Sequence, residues 1–315
     1  MRKEDFPYDK TKNKAVLFFS ASSVGDFKQL YDFGIREMLV SYFYIKKSLG
    51  YFDGILPTLK EQGGIFMTDS GAFSFMGKFR EGSSEYEESH KEEFWLPYLE
   101  EYVAWLRAHK DYIFSAANLD IDNIVGHDIV RKWNKKYFEP LEKEGINVVY
   151  VAHESEGDPH AIKHFKEYCE KYKYVGINQR HKEYATRFYQ IAKMYHVKVH
   201  GFAWTEIGIL KHYPFFSADS VTWLGGVRFG TTYDYDGKNF RTLDYKKKYL
   251  RKARRIKYEK NGVDFEEVKK ETRININKMN LLGWLGFRKE FLKMANLKLH
   301  NKVVATYERD YRKKD

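Results

Sequence analysis

The run YPFFSADSVTWLGGVRFGT, Tyr213–Thr231, decides how the rest of the chain is read. A mostly apolar stretch, Phe215–Ala218, delivers a single carboxylate, Asp219. The chain then turns glycine-rich through Gly225, Gly226, Arg228 and Gly230. That order predicts a buried strand that ends at an acid and opens into a glycine loop of phosphate size. In a parallel α/β barrel the loops after the strands form the active face, so an acid at such a junction is placed for chemistry. The same residues also suit an Asp219 that only caps the next turn with Ser220. A second stretch of the same kind, GGIFMTDSGAFSF at Gly63–Phe75, favours the first reading.

Working outward, strand-like and helix-like runs alternate. Strands are predicted at Ala15–Ala21, Glu37–Tyr44, Ile65–Thr68, Tyr112–Leu119, Asn147–Ala152, Tyr174–Ile177, Val197–Phe202 and Phe215–Ala218. Between them lie helical patterns, the clearest at Glu92–Lys110, His127–Lys143, Pro159–Lys171 and Glu183–Tyr195, and a polar insert, Gly77–Ser89, that reads as a loop or lid. Eight strands alternating with helices is the pattern of an α/β fold of the (β/α)8 TIM-barrel type; an open doubly wound sheet fits the alternation as well. Asp69, Asp120, His153, Asn178, His200 and Asp219 each fall near the end of a predicted strand. Closure of the barrel would gather them round one mouth.

The expected organisation is a barrel core over residues 1–232, a basic insertion over 233–279, and a C-terminal helix and tail over 280–315 that completes the barrel. The insertion carries Lys246, Lys247, Lys248, Arg251, Lys252, Arg254, Arg255 and Lys257 interleaved with Tyr245, Tyr249 and Tyr258. Solvated helix surface accounts for such a run, and so does a phosphate backbone. The whole chain of 315 residues has a formal charge of +11, which favours an anionic partner such as nucleic acid. Its aromatic content, 17%, excludes a disordered chain. The one cysteine, Cys169, excludes an internal disulfide and a multi-cysteine zinc site, and points to a reducing compartment. No run approaches the roughly 18 apolar residues of a membrane span, and the start, MRKEDFPYDK, lacks the apolar core of a signal peptide. The expectation is a cytoplasmic protein, in a host's cytoplasm if phage-encoded.

MTDSGAF at Met67–Phe73 resembles the motif of the tRNA-guanine transglycosylase superfamily in which the aspartate opens the base-binding site. FSADSVTWL at Phe216–Leu224, preceded by HGFAWTE at His200–Glu206, is similar to the segment of that superfamily that ends in the catalytic nucleophile. The likeness spans roughly Ala15–Thr231. It is closest to the phage-type branch that inserts 7-deazaguanine bases into DNA, whose D-S-x-x-W-L-x-G-x-R-x-G pattern reads here as DSVTWLGGVRFG, Asp219–Gly230. The tRNA enzymes carry a zinc site of three cysteines and a histidine that this chain cannot build, and their glycine-rich base-recognition strand is matched only weakly, by YVGINQ at Tyr174–Gln179. The departure favours DNA over tRNA.

The resemblance implies replacement of guanine in DNA by a 7-deazaguanine such as preQ0; no cofactor is expected, and the missing zinc ligands make the expectation one of no metal. A carboxylate attacks C1′, expels guanine and holds a glycosyl-enzyme until the new base displaces it, as in a retaining glycosidase. Asp219 is then the nucleophile and Asp69 the acid that moves protons. Asp120, with Asp122 as its substitute, accepts the neighbouring N–H groups of the base. Ser70, Gly71, Phe73, His153, Gly176, Asn178, His200 and Gly201 line the base site on this reading. Gly225, Gly226 and Arg228, with Lys246, Lys247, Arg251 and Arg254, receive phosphates. The target base must leave the duplex to reach a barrel mouth. A zinc-less tRNA transglycosylase, a barrel glycosidase or nucleoside hydrolase, and a basic nucleic-acid-binding protein are the alternatives.

Overall fold

The computed structural model describes residues 15–75, 79, 81–152, 160–204, 207–213, 215–243 and 249–294; the side chains of Phe73, Val227, Arg228 and Met294 are outside that description. Eight parallel strands close into a barrel in sequence order: β1 (Val16–Ala21), β2 (Glu37–Ser41), β3 (Ile65–Asp69), β4 (Ser115–Ala117), β5 (Val148–Val151), β6 (Tyr174–Asn178), β7 (Lys198–Phe202) and β8 (Ser217–Ser220). Closure runs from Val16 N–H to Phe216 C=O at 3.0 Å. The fold is the α/β barrel that the alternation predicts. Because helices cover the outside and side chains fill the inside, β1 and β5 are buried along their whole length, which is why they read as continuous apolar runs.

Successive strand residues face opposite sides, so each strand offers an inner set two residues apart. The inner cluster includes Val16 and Phe18 of β1, Leu39 of β2, and Ile65 and Met67 of β3. Two residues further along those strands come Ser20, Ser41 and Asp69, so the filling changes from apolar to polar toward the strand ends. Asp69 stands directly opposite Ser41 in the ladder.

The observed elements differ from the sequence reading at β2, at β4, in the insert after β3, at β8, which runs from Ser217 to Ser220 rather than from Phe215 to Ala218, and in the glycine stretch after it. β2 stops at Ser41 rather than Tyr44, because the Ser41 hydroxyl accepts the Phe43 N–H at 3.2 Å and caps the short helix Tyr42–Ile45. β4 spans three residues instead of eight. Its flanks stay bound nonetheless: Phe114 N–H reaches Phe66 C=O at 2.7 Å and Asn118 N–H reaches Val149 C=O at 3.0 Å. The insert after β3 holds a helix, Ser84–Ser89, begun by the Ser83 hydroxyl on Tyr86 N–H; residues 76–78 and 80 of it lie outside the described part.

Contacts divide the chain into two compact units, one of residues 1–202 with 215–219 and one of 203–214 with 220–315. The second carries 26 Lys and Arg against 13 Asp and Glu, a formal +13, so the first is left with −2 of the chain's +11. In the second unit a hairpin of β9 (Thr232–Tyr235) and β10 (Phe240–Leu243) packs against the long helix Arg273–Met294. Asn280, fully buried on that helix, joins them: its Oδ1 accepts Tyr233 N–H at 2.8 Å, and its Nδ2 donates to Trp223 C=O at 3.0 Å and Thr231 C=O at 3.3 Å. Arg251 and Arg254, expected on phosphates, are held inside this unit. Arg251 is buried and donates to Thr232 Oγ1 at 3.1 Å and Gly230 C=O at 3.1 Å. Arg254 and Lys257 both pair with the buried Asp234, at 2.8 and 2.5 Å. Lys246 and Lys247 lie outside the described residues.

Replacing Asn280 with Ala strands one backbone N–H and two carbonyls. Since each unmade buried bond costs about 1 kcal/mol or more, the variant should lose about 2–4 kcal/mol of stability in urea unfolding. A loss below about 0.5 kcal/mol would show that water replaces the amide.

Candidate functional site

The barrel end of the first unit brings three carboxylates under one another's influence. Asp69 closes β3, Asp120 follows β4 by three residues, and Asp219 lies within β8. Burial pushes the Asp69 carboxyl up to about 7, and the charges of Asp120 and Asp219 push the same way, while hydrogen bonds from the Ser41 hydroxyl and the Gly71 N–H act against them. Gly71 N–H donates to Asp69 Oδ1 at 2.8 Å. This turn needs glycine: its φ is +86°, and a Cβ there would sit 2.6 Å from Phe43 Cβ and 2.7 Å from Ser41 Oγ. Ser70, buried, donates to Asp120 Oδ1 at 3.0 Å, and the Tyr98 hydroxyl fixes its carbonyl at 2.6 Å. The motif DSG thus orients two acids at once, Asp69 through the backbone of Gly71 and Asp120 through the hydroxyl of Ser70.

Asp219 sits in a different environment. Ser20 of β1 donates to its Oδ2 at 2.6 Å. His200 of β7 places Nε2 3.3 Å from its Oδ1, without hydrogen-bond alignment. His200 itself is fully buried; its Nδ1 meets Ser217 Oγ at 2.7 Å, and that oxygen also meets the Tyr174 hydroxyl. Ser220 caps the turn that follows, its hydroxyl accepting Thr222 N–H at 3.2 Å.

Other expected residues fall elsewhere. Asn178 caps the turn after β6, accepting Arg180 N–H at 2.9 Å. Gly176 makes room for packing, because a Cβ there would lie 2.5 Å from Phe202 Cε2. Gly201 is out of phase with His200 on β7, so it takes the opposite side of the sheet. Asp122 Oδ2 lies 3.0 Å from His127 Nδ1. His153 lies outside the described residues, as does the side chain of Phe73. The predicted glycine loop is helical: Thr222–Leu224 forms a 3₁₀ turn and Gly225–Phe229 an α-turn. Gly226 is glycine because residues of its own unit pack closely on it, with Ile276 Cγ2 at 2.2 Å and Thr231 C=O at 2.9 Å from where a Cβ would be. Among the described residues no group of three or more His, Cys, Asp or Glu side chains is arranged to hold a metal ion, and no helix is long and apolar enough to cross a membrane.

Compared with protein-family models and with curated proteins, the chain matches none.

Sequence reading missed Ser20, Ser41, Ser217 and Tyr174. A signal for the first was present: in VLFFSA the residues Val16, Phe18 and Ser20 share one face, so a lone hydroxyl follows two apolar residues into the barrel. Asn118 was missed as well. Buried just after β4, it accepts Val151 N–H on Oδ1 and donates to Asn134 Oδ1, both at 2.9 Å, extending the short strand with its side chain.

Asp69 takes up its proton near pH 7 when folded against an ordinary value of 3.8. The folded chain thus binds that proton more tightly than the unfolded one, so stability falls as pH rises from about 4 to about 7 and is level above. Asp69→Asn removes this loss. With partial exposure discounted, urea unfolding should find the variant more stable than wild type by on the order of 1–3 kcal/mol at pH 8, the advantage fading toward pH 4. An advantage that does not change with pH would contradict the origin assigned to the shift.

Proposed function

We propose that the protein is a base-exchange transglycosylase that replaces guanine in DNA with a 7-deazaguanine. The observation that supports this reading best is the contrast between two carboxyl environments in one barrel. Asp69 holds a proton up to about pH 7 through burial and the charges of Asp120 and Asp219. Ser20 holds one oxygen of Asp219 by a hydrogen bond, and His200 lies beside the other. Pairs of acids whose surroundings differ in this way divide the work between proton transfer and covalent attack.

In the first half-reaction an Asp219 oxygen forms a bond to C1′ while the C1′–N9 bond breaks, its electron pair leaving with guanine. Asp69 delivers a proton to the departing base. In the second half the incoming base attacks C1′, the C1′–O bond breaks and its electron pair returns to Asp219. Asp69 then takes the proton that the new base sheds. Asp120, held by Ser70, accepts the paired N–H groups of the base edge. The charge division suits a nucleic-acid substrate: the unit that carries Asp69, Asp120 and Asp219 has a formal charge of −2, and the other has +13.

The test incubates purified protein with guanine-containing DNA, or separately with tRNA, and a 7-deazaguanine base, followed by nuclease digestion and nucleoside mass spectrometry. Modified deoxynucleoside should form with wild type and not with Asp219→Asn; Asp69→Asn should be slower by about 10²–10⁴, the usual worth of a positioned acid–base group. Incorporation into tRNA alone would move the substrate to RNA. Release of guanine without incorporation would make the protein a hydrolase, and binding without either would remove the enzymatic reading.

A further inference from the structure

Behind Asp219 the barrel interior holds an unbroken line of polar atoms that the base-exchange chemistry does not itself demand. Asp219 Oδ1 faces His200 Nε2 at 3.3 Å; His200 Nδ1 faces Ser217 Oγ at 2.7 Å; Ser217 Oγ meets the Tyr174 hydroxyl. His200, Ser217 and Tyr174 are fully buried and Asp219 nearly so. Their placement follows from the ladder: His200 stands opposite Ser217 across β7 and β8, and Tyr174 lies two residues before Gly176, which stands opposite His200. The imidazole packs edge-on against Phe202, 4.3 Å between ring centroids, with Phe18 at 6.2 Å on another side.

The direction of this line is fixed from the Asp219 end. An ionised carboxylate only accepts hydrogen bonds, so the imidazole nitrogen that faces it carries the proton. In a neutral imidazole the other nitrogen must then accept. Ser217 has one hydroxyl proton and gives it to Nδ1, which leaves its oxygen to accept from Tyr174. The phenol can play that part at any ordinary pH, because burial pushes its ionisation far upward.

We infer that His200 is a positioning residue for Asp219, locked by Ser217 and Tyr174 as the Nε2–H tautomer with its N–H aimed at Oδ1. This rests on the reading of Asp219 as nucleophile and reassigns His200 from contact with the base to orientation of the attacking carboxylate. In the resting protein the Nε2 contact is long and outside hydrogen-bond geometry. It shortens when charge returns to Asp219 as the C1′–O bond breaks, so its contribution falls in the second half-reaction. No proton is transferred through His200; it donates a hydrogen bond only.

The tautomer is measurable without any substrate, which separates this inference from the transglycosylase reading. Wild-type protein labelled with ¹⁵N-histidine is examined by long-range ¹H–¹⁵N correlation, with His200→Gln identifying the signal. The result expected is a single Nε2-protonated ring in wild type, and a mixture with the Nδ1-protonated form in Ser217→Ala and Tyr174→Phe, both checked for unchanged circular dichroism. An Nδ1-protonated or averaging His200 in wild type would overturn the inference, and so would an unchanged tautomer in both variants. In the base-exchange assay the two variants should lose about 10- to 100-fold in kcat with KM within about 3-fold, the scale of removing an orienting partner. A change confined to KM would return His200 to the base site. Should wild type exchange no base at all, the tautomer result still stands or falls on its own.

Discussion

Three carboxylates that feel one another's charge at the end of one barrel cannot all be ionised without cost. Asp69 bears that cost: its burial comes first, the charges of Asp120 and Asp219 add to it, and the proton is retained up to about pH 7. Much of the surrounding structure serves to make this tolerable. Ser41 and the Gly71 N–H bond Asp69 directly, Ser70 bonds Asp120, and Ser20 bonds Asp219. The hydroxyls sit at the point where each strand's inner face has run out of apolar filling. A packed apolar layer below and hydroxyl and backbone donors above are what allow a small, charged cluster to persist in a barrel that is otherwise filled largely with aliphatic and aromatic side chains.

The second unit uses the same economy of polar groups for a different end. Its surplus of positive charge would repel itself, and part of it is consumed internally. Asp234 holds Arg254 and Lys257, Arg251 is buried against Thr232 and Gly230, and Asn280 ties the long helix to β9. Charge density in a sequence therefore overstates what is available to a partner. Within one short stretch, Arg251 and Arg254 serve the fold, whereas Lys252 and Lys260 stay exposed.

The barrel was legible because its strands are buried on both faces and so stand out as apolar runs between helical patterns. Strand ends were less so, since they are set by single hydrogen bonds such as the Ser41 cap, which a run like Tyr-Phe-Tyr does not advertise. The acids were legible as well, because an Asp directly after an apolar strand is conspicuous. What escaped was their support. Ser20, Ser217 and Tyr174 are ordinary residues of buried strands, and only the placing of four strands, β6, β7, β8 and β1, side by side turns them into partners of Asp219 and His200. Gly226 misled for a related reason. A glycine required by close packing against Ile276 looks, in sequence, the same as one required by a phosphate.

Strand order also explains how one ring holds two unlike carboxyls. Asp219 on β8 is flanked by β7 and β1, and those strands supply His200 and Ser20. Asp69 on β3 is flanked by β2 and β4, which supply Ser41 and, through the turn after β4, Asp120. No strand is shared between the two sets of neighbours. Each acid therefore has strand partners that leave the other's partners untouched, one shaped by burial and like charge, the other by a hydroxyl donor on one side and an imidazole on the other. A closed ring of eight strands thus gives the two acids separate strand partners even though the charge of Asp219 still acts on Asp69.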